Sequence, residues 1–449
     1  MSNQLHNPIG NNPAGPKERS MLGSLTAFRR NPTGMLIDYW QRYGDLYRMR
    51  LGPYPVYVVT HPDHAQHVLV DNHNNYSRGK FFKNFERIIG KGLVSIEGEE
   101  WKKHRRTMQP SFQRNYVTNY AEAAIQGALR MLETWDLNAK DDRPFDAAFD
   151  LFQLVLTTFG QSLYSTDLSP YADDFIPYAH EGSLQLIQNV LLPEWVPTPK
   201  NLQLKEVRRL FDRMVAGVIR EHQGANSGAR DVVSALLAQQ SNGSLTLEQV
   251  HYELLTLLFV GTDTTTAALS WAMYVLSVYP EVQQRMYEEA RDVLNGRTPT
   301  VDDLPELEYT KRVIQEVLRL YPPVWILTRD PIEDDMIGGC RIPAGSTVMV
   351  NPYLVHRHPA FWENPEAFNP DRFLEPQIKE QHRCAFIPFG AGQHQCIGMH
   401  SAMQQMHLTL PMIVQRFRVH MEPSGTVAPS PSLTLHPNHG LRVRLQRRG

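Results

Sequence analysis

The stretch CAFIPFGAGQHQCIG, residues 384–398, decides how this sequence is read. Gly390, Gly392 and Gly398 surround Cys396 within nine residues. Glycines let a backbone turn tightly and come close to a flat partner. The run that follows, IGMHSAMQQMHLTLP, has the apolar spacing of a helix, which places Cys396 at its start. Exposed amide donors and the helix dipole favour a thiolate there. Taken by itself, one cysteine among glycines is equally a buried structural residue in a tight turn, so the reading depends on what surrounds the loop.

The other cysteines are Cys340 and Cys384. Three cysteines make no disulfide scaffold and fit a reducing compartment, and without CxxC spacing no structural zinc site is expected. The chain has 449 residues, 42% hydrophobic and 20% charged, as in an ordinary globular protein. A net charge of -2 gives no sign of nucleic-acid binding over the whole chain. The start, MSNQLHNPIGNNPAGPKERS, is polar, and no apolar stretch follows that would serve as a signal peptide or membrane anchor. Residues 1–18 are expected to be a flexible lead-in, and the location cytoplasmic.

Upstream of the loop, helical patterns dominate. Residues 31–43 read as a helix closed near Gly44. The runs YRMRL and VYVVT, separated by Gly52-Pro53, read as a hairpin, and a further helix is expected over 62–70. Residues 71–95 read as a long loop with a short helix. Helices fill 98–293, broken at 167–174, 191–200 and 224–229, and another spans 307–320. Short strands follow, including 346–350, and SLTLHPNHGLRVRLQ reads as a terminal hairpin. The whole chain is expected to form a single domain.

Residues 249–278, QVHYELLTLLFVGTDTTTAALSWAMYVLSV, are apolar nearly all round, with Glu253 and Asp263 the only acids. Such a helix is buried, and a central carboxylate favours protein over lipid as its surroundings. Gly261 and four threonines lower helicity at its middle, where a local irregularity would expose backbone and hydroxyls to a bound group.

Phe389, Gly392, His394, Cys396 and Gly398 stand in the register Phe-x-x-Gly-x-Arg/His-x-Cys-x-Gly. In that register the chain resembles the cytochrome P-450 family, with His394 where Arg is commoner. The resemblance extends to Glu316 and Arg319, three apart ahead of the loop, and to Val260-Gly261-Thr262-Asp263-Thr264-Thr265 in the long helix, where Val260 replaces a small residue. It implies a mainly α fold with a smaller β-rich part, prism-like, with the long helix crossing over a haem b. Cys396 would be the axial thiolate ligand of the iron, and His394, Trp101, Arg105 and Arg329 would meet the haem propionates. Phe389 and Gly398 complete the cofactor loop. Arg372, in FWENPEAFNPDRF, would join Glu316 and Arg319 in a buried network that fixes it. His356 would be a further polar contact or a local backbone cap.

The implied reaction is a monooxygenation, most simply C–H hydroxylation, in which Thr264 holds a water and Asp263 relays protons. Pocket walls by family position are Phe81, Phe82, Phe85, Val260, Trp325, Ile326 and Leu433, mostly large and apolar, which favours a hydrophobic substrate such as a fatty acid, terpenoid or steroid. No GxGxxG follows a strand, so electrons are expected from a separate ferredoxin with its reductase or a flavodoxin, attracted by Lys102, Lys103 and Arg106. A monomer is expected. The alternatives are a peroxygenase, against which Asp263-Thr264 argues, an isomerase or reductase on the same haem fold, and a haem sensor or electron carrier.

Overall fold

The β-rich part of the fold begins where the hairpin was read. In a computed structural model of the chain, residues 12–18, 20–82, 85–112, 114–172, 196–224, 231–422, 427–438 and 440–448 are described. Most of the expected lead-in, and parts of the breaks at 167–174, 191–200 and 224–229, lie outside them. Contacts divide the chain into two compact units.

The first unit is assembled from Met1–Lys83, Val324–Phe368 and Glu375–Cys396. Its five-stranded sheet runs in the order Leu46–Leu51, Tyr54–Val59, Thr347–Val350, Leu327–Pro331, Tyr76–Ser77. The first two strands form the expected hairpin, with Arg48 opposite Tyr57. Tyr54–Val59 then runs parallel to Thr347–Val350, while Leu327–Pro331 is antiparallel to both of its neighbours. Tyr57, Val59, Val348 and Val350 meet Leu69, Cys384 and Ile387 in a buried cluster. The helix expected at 62–70 is present as Pro62–Gln66, and its chain continues as a wider π turn, His67–Asp71.

The second unit consists of Asn84–Pro323, Asn369–Leu374 and Ile397–Gly449 and carries the long helices. The helix Leu247–Val278 starts at a capping box: Thr246 Oγ1 accepts from Gln249 N at 3.1 Å, and Gln249 Oε1 accepts from Thr246 N at 2.9 Å. It runs unbroken, so no irregularity marks its middle. Instead the hydroxyls of Thr262, Thr264 and Thr266 donate to the carbonyls of Leu258, Val260 and Thr262, at 2.7, 2.9 and 2.8 Å. From Glu253 to Met273 every residue is buried except Val260, Gly261 and Thr264, which are half-buried and share one side of the helix. Gly261 has a packing reason as well: a Cβ there would lie 2.5 Å from Cε2 of Phe159, in the helix Ala147–Leu163.

The terminal hairpin is not formed. Arg442–Arg447 pairs with Phe417–Met421 and with Phe145–Asp146, whereas Leu435–Pro437 pairs with Pro429–Pro431. Two alternating strands joined by a turn looked like mutual partners, but each finds a better-matched neighbour elsewhere. Among the described residues, no helix is long and apolar enough to cross a membrane.

Candidate functional site

In the first unit, the cysteine loop is set by its glycines. Gly390 and Gly392 have φ of +70° and +71°, a region that L side chains rarely adopt. A Cβ on Gly392 would also run into the backbone carbonyl of Leu69 in the π turn. A short 3₁₀ turn, Gly392–His394, follows, and Cys396 N donates to Phe389 O at 2.9 Å, closing the loop on the phenylalanine of the motif. The next helix is Met399–Arg416 with Gly398 at its N-cap, so Cys396 precedes the helix by a short step rather than opening it.

The three cysteines differ in kind. Cys340 and Cys384 are buried, and burial pushes the Cys384 thiol up to about 11. Cys396 is exposed. An accessible sulfur on a glycine-turned backbone is the donor chemistry a thiolate-ligated haem iron needs, and neither other cysteine offers it. The residues present fit that group.

Around the loop the same unit places three further polar groups. Arg78 Nη2 donates to His394 Nδ1 at 3.0 Å, so the neutral ring carries its proton on Nε2. Arg78 is itself held in place: the next residues, Gly79 and Lys80, close on Asp330, whose carboxylate accepts from Lys80 N at 3.1 Å and Thr347 Oγ1 at 2.7 Å. Arg329 is buried on its strand and donates to Thr328 O at 2.7 Å. His356 Nε2 accepts from Ile387 N at 2.9 Å, so it caps backbone on the approach to the loop.

In the second unit, Asp263 is buried. Its carboxylate accepts from Thr434 Oγ1 at 2.6 Å and is bonded to His436 Nε2 at 3.0 Å. Thr264, one residue on, lies in the half-buried strip with Val260 and Gly261. The helix Gly98–Met108 buries Trp101 and leaves Arg105 half-buried, with Lys102, Lys103 and Arg106 outward. Its anchor is a pair that the sequence did not suggest. His104 Nδ1 meets Glu253 Oε1 at 2.6 Å, both fully buried, and Glu253 also accepts from Leu93 N at 2.9 Å. Burial raises the Glu253 pKa against these hydrogen bonds.

Glu316, Arg319 and Arg372 do form one network. Arg319 donates from Nε and Nη2 to the two carboxylate oxygens of Glu316, at 2.6 and 2.8 Å, with both side chains fully buried. Arg372 Nε adds a contact to Glu316 at 3.3 Å, and Asn369 N donates to the same oxygen at 2.8 Å.

The seven apolar residues divide. Phe85, Val260 and Leu433 all pack, partly buried, against the large core cluster of the second unit. In the first unit, Phe81 lies edge-on to Tyr54 and Arg78 sits over the Phe82 ring. Trp325 is buried against Phe28, and Ile326 is half-buried. A further group with metal-ligand chemistry, Asp45, His61 and His358, has a different explanation. Both imidazoles accept backbone N–H at Nδ1, from Asp63 and Ala360, which puts the proton on the Nε2 that a metal would need.

A mainly helical fold with an exposed cysteine in a glycine-set loop fits a haem-thiolate protein. The chain belongs to the cytochrome P450 family, whose model matches residues 13–443 and so spans both units. It is 33% identical over 424 residues to cyclooctatin synthase of Streptomyces melanosporofaciens, covering 92% of this chain and 91% of that one. It is 33% identical to pentalenene oxygenase of Streptomyces avermitilis, over 90% of this chain and 91% of the relative. Identity to cyclooctat-9-en-7-ol 5-monooxygenase of Streptomyces melanosporofaciens is 30%, over 92% and 90%. The chain is an oxidoreductase of a monooxygenase family that binds haem.

Proposed function

We propose that this chain hydroxylates an apolar cyclic substrate of terpenoid type, with haem b held through Cys396 Sγ and electrons from a separate ferredoxin or flavodoxin. The observation that carries the reading is the strip Val260, Gly261 and Thr264, half-buried where every other residue from Glu253 to Met273 is buried. It sets a hydroxyl among apolar groups, as oxygen insertion into a hydrocarbon needs. The names of two relatives, pentalenene oxygenase and cyclooctat-9-en-7-ol 5-monooxygenase, support a cyclic skeleton.

When bound, thiolate-ligated haem supplies dioxygen activation, the sulfur favouring O–O cleavage. The chain's own residues supply the rest. Cys396 would give the iron one sulfur. His394 Nε2–H, oriented by Arg78, and the donors of Trp101, Arg105 and Arg329 suit the propionates. Thr264 spends its only proton on Val260 O, so its oxygen can act only as an acceptor. A water held there must donate to Thr264, which fixes that water's orientation. Asp263 holds the proton supply beside it. Phe85, Val260 and Leu433 keep bulk water out, and Phe81, Phe82, Trp325 and Ile326 are the candidate walls in the first unit. Lys102, Lys103 and Arg106 present a basic face for an acidic electron donor. The chain acts as a cytoplasmic monomer.

The test is spectroscopic. The reduced, carbon-monoxide-bound protein should show the red-shifted thiolate band, and Cys396→Ala should lose it. A band of histidine-ligated haem overturns the assignment. A panel of cyclic terpenes, fatty acids and steroids, read by spin-state shift and then by turnover with a generic ferredoxin system, tests the substrate class. Shifts confined to fatty acids or steroids overturn that part.

A further inference from the structure

We infer that His436 is a positioning and proton-supplying residue for Asp263, feeding protons from solvent to a buried carboxylate. This rests on the proposed role of Asp263 as proton source for Thr264.

The geometry is built by a short strand. Leu435–Pro437 pairs with Pro429–Pro431, and side chains alternate along it. Leu435 is fully buried, its carbonyl accepting from Trp271 Nε1 at 2.8 Å and its N–H donating to Pro323 O at 2.9 Å. Thr434 and His436, on either side, therefore share the opposite face, and both reach Asp263. Two anchors on the backbone between them hold that register.

The two partners differ in what they can do. On side chains alone, His436 keeps 14% of its surface and Asp263 7%, and Thr434 is buried. The Thr434 hydroxyl can only hold the carboxylate. Imidazole has two ring nitrogens, and can take a proton at one and release one at the other. Hydronium at the ring edge gives Nδ1 a proton, its O–H bond breaking as Nδ1–H forms and water remaining, and the Nε2–H bond then breaks as Asp263 Oδ1–H forms. Imidazolium and carboxylate become imidazole and carboxylic acid, so net charge is unchanged. Asp263 returns to carboxylate when it passes its proton on towards the water at Thr264, and rotation of the ring then turns its remaining N–H back to the carboxylate.

The experiment uses the haem-loaded protein with a ferredoxin system and pentalenene as probe. It compares wild type with His436→Ala, His436→Gln and Asp263→Asn. Gln keeps a side-chain N–H for Asp263 but cannot carry a proton. Each variant is first checked for an unchanged carbon-monoxide band. Both His436 variants should raise the ratio of hydrogen peroxide released to product formed by roughly tenfold, and both should alter the solvent deuterium isotope effect. Full rescue by Gln shows that the histidine only holds the carboxylate, and overturns the inference. So does a wild-type ratio in His436→Ala beside an impaired Asp263→Asn, which leaves the reading of Asp263 standing. A wild-type ratio in Asp263→Asn overturns that underlying reading, and the inference with it.

Discussion

Replacing Glu316 by Ala removes the acceptor of four hydrogen bonds: two from Arg319, one from Arg372 and one from Asn369 N. The cost falls unevenly. Asn369 is exposed, so its amide turns to water and adds little. Arg372 keeps 11% of its side-chain surface and is partly hydrated. The Arg319 guanidinium is fully buried and loses its carboxylate, and breaking such a pair costs about 3–5 kcal/mol. That is roughly a fifth or more of the stability of a typical domain, about 5–15 kcal/mol. Urea unfolding followed by far-UV circular dichroism measures the loss. The control is Lys379→Ala, which removes an exposed pair with Glu375 and should cost no more than about 1 kcal/mol. A double variant, Glu316→Ala with Arg319→Met, also removes the buried charge that Glu316 balanced and should be more stable than Glu316→Ala alone. The reasoning is refuted if Glu316→Ala loses no more than the control, or if the double variant is the less stable of the two.

Three further outcomes are expected. Gly392→Ala combines a left-handed backbone with a collision on the Leu69 carbonyl; it should cost about 2–4 kcal/mol and lower the yield of thiolate-ligated haem, read from the carbon-monoxide band. Gly261→Ala should destabilise by about 1–3 kcal/mol through overpacking against Phe159, and Phe159→Leu in the same chain should recover part of it in thermal melts. Burial pushes the His407 pKa down to about 4, Lys311 adding to this and the hydrogen bond to Leu307 O opposing it. Between pH 6.5 and 4 the unfolded chain therefore binds a proton there that the folded chain does not. Stability falls as pH drops through that window, by up to about 3 kcal/mol from this group. His407→Gln should flatten that part of a stability–pH curve, and an unchanged slope would contradict the assignment.

What could be read in the sequence was what is local or periodic. Glu316 and Arg319 lie three apart on one helix, so their pairing follows from helical geometry. The burial found from Glu253 to Met273 followed from the apolar run at 249–278, and the loop at 384–398 from glycines whose φ the structure finds positive at 390 and 392. Contacts made across long stretches of chain left no such trace. Arg78 reaches His394, His436 reaches Asp263, and His104 reaches Glu253, yet nothing in the spacing of these residues announces the partner. The misread terminal hairpin has the same origin. Arg442–Arg447 and Leu435–Pro437 are short, and a short strand's alternation says which face is buried without saying which strand lies beside it.

The pairing of Tyr54–Val59 with Thr347–Val350 carries a consequence for how the protein is made. Val56 meets Thr347, about 290 residues further along. At about 5–20 residues per second, the ribosome takes roughly 15–60 s to deliver that partner. Throughout that interval the hairpin Leu46–Val59 has an open edge, with Val56, Val58 and Val59 destined for a core that does not yet exist. Nascent chains of this protein should therefore bind holdase chaperones through their first hundred residues. Slowing elongation across 60–346 should raise aggregation more than slowing it after residue 350.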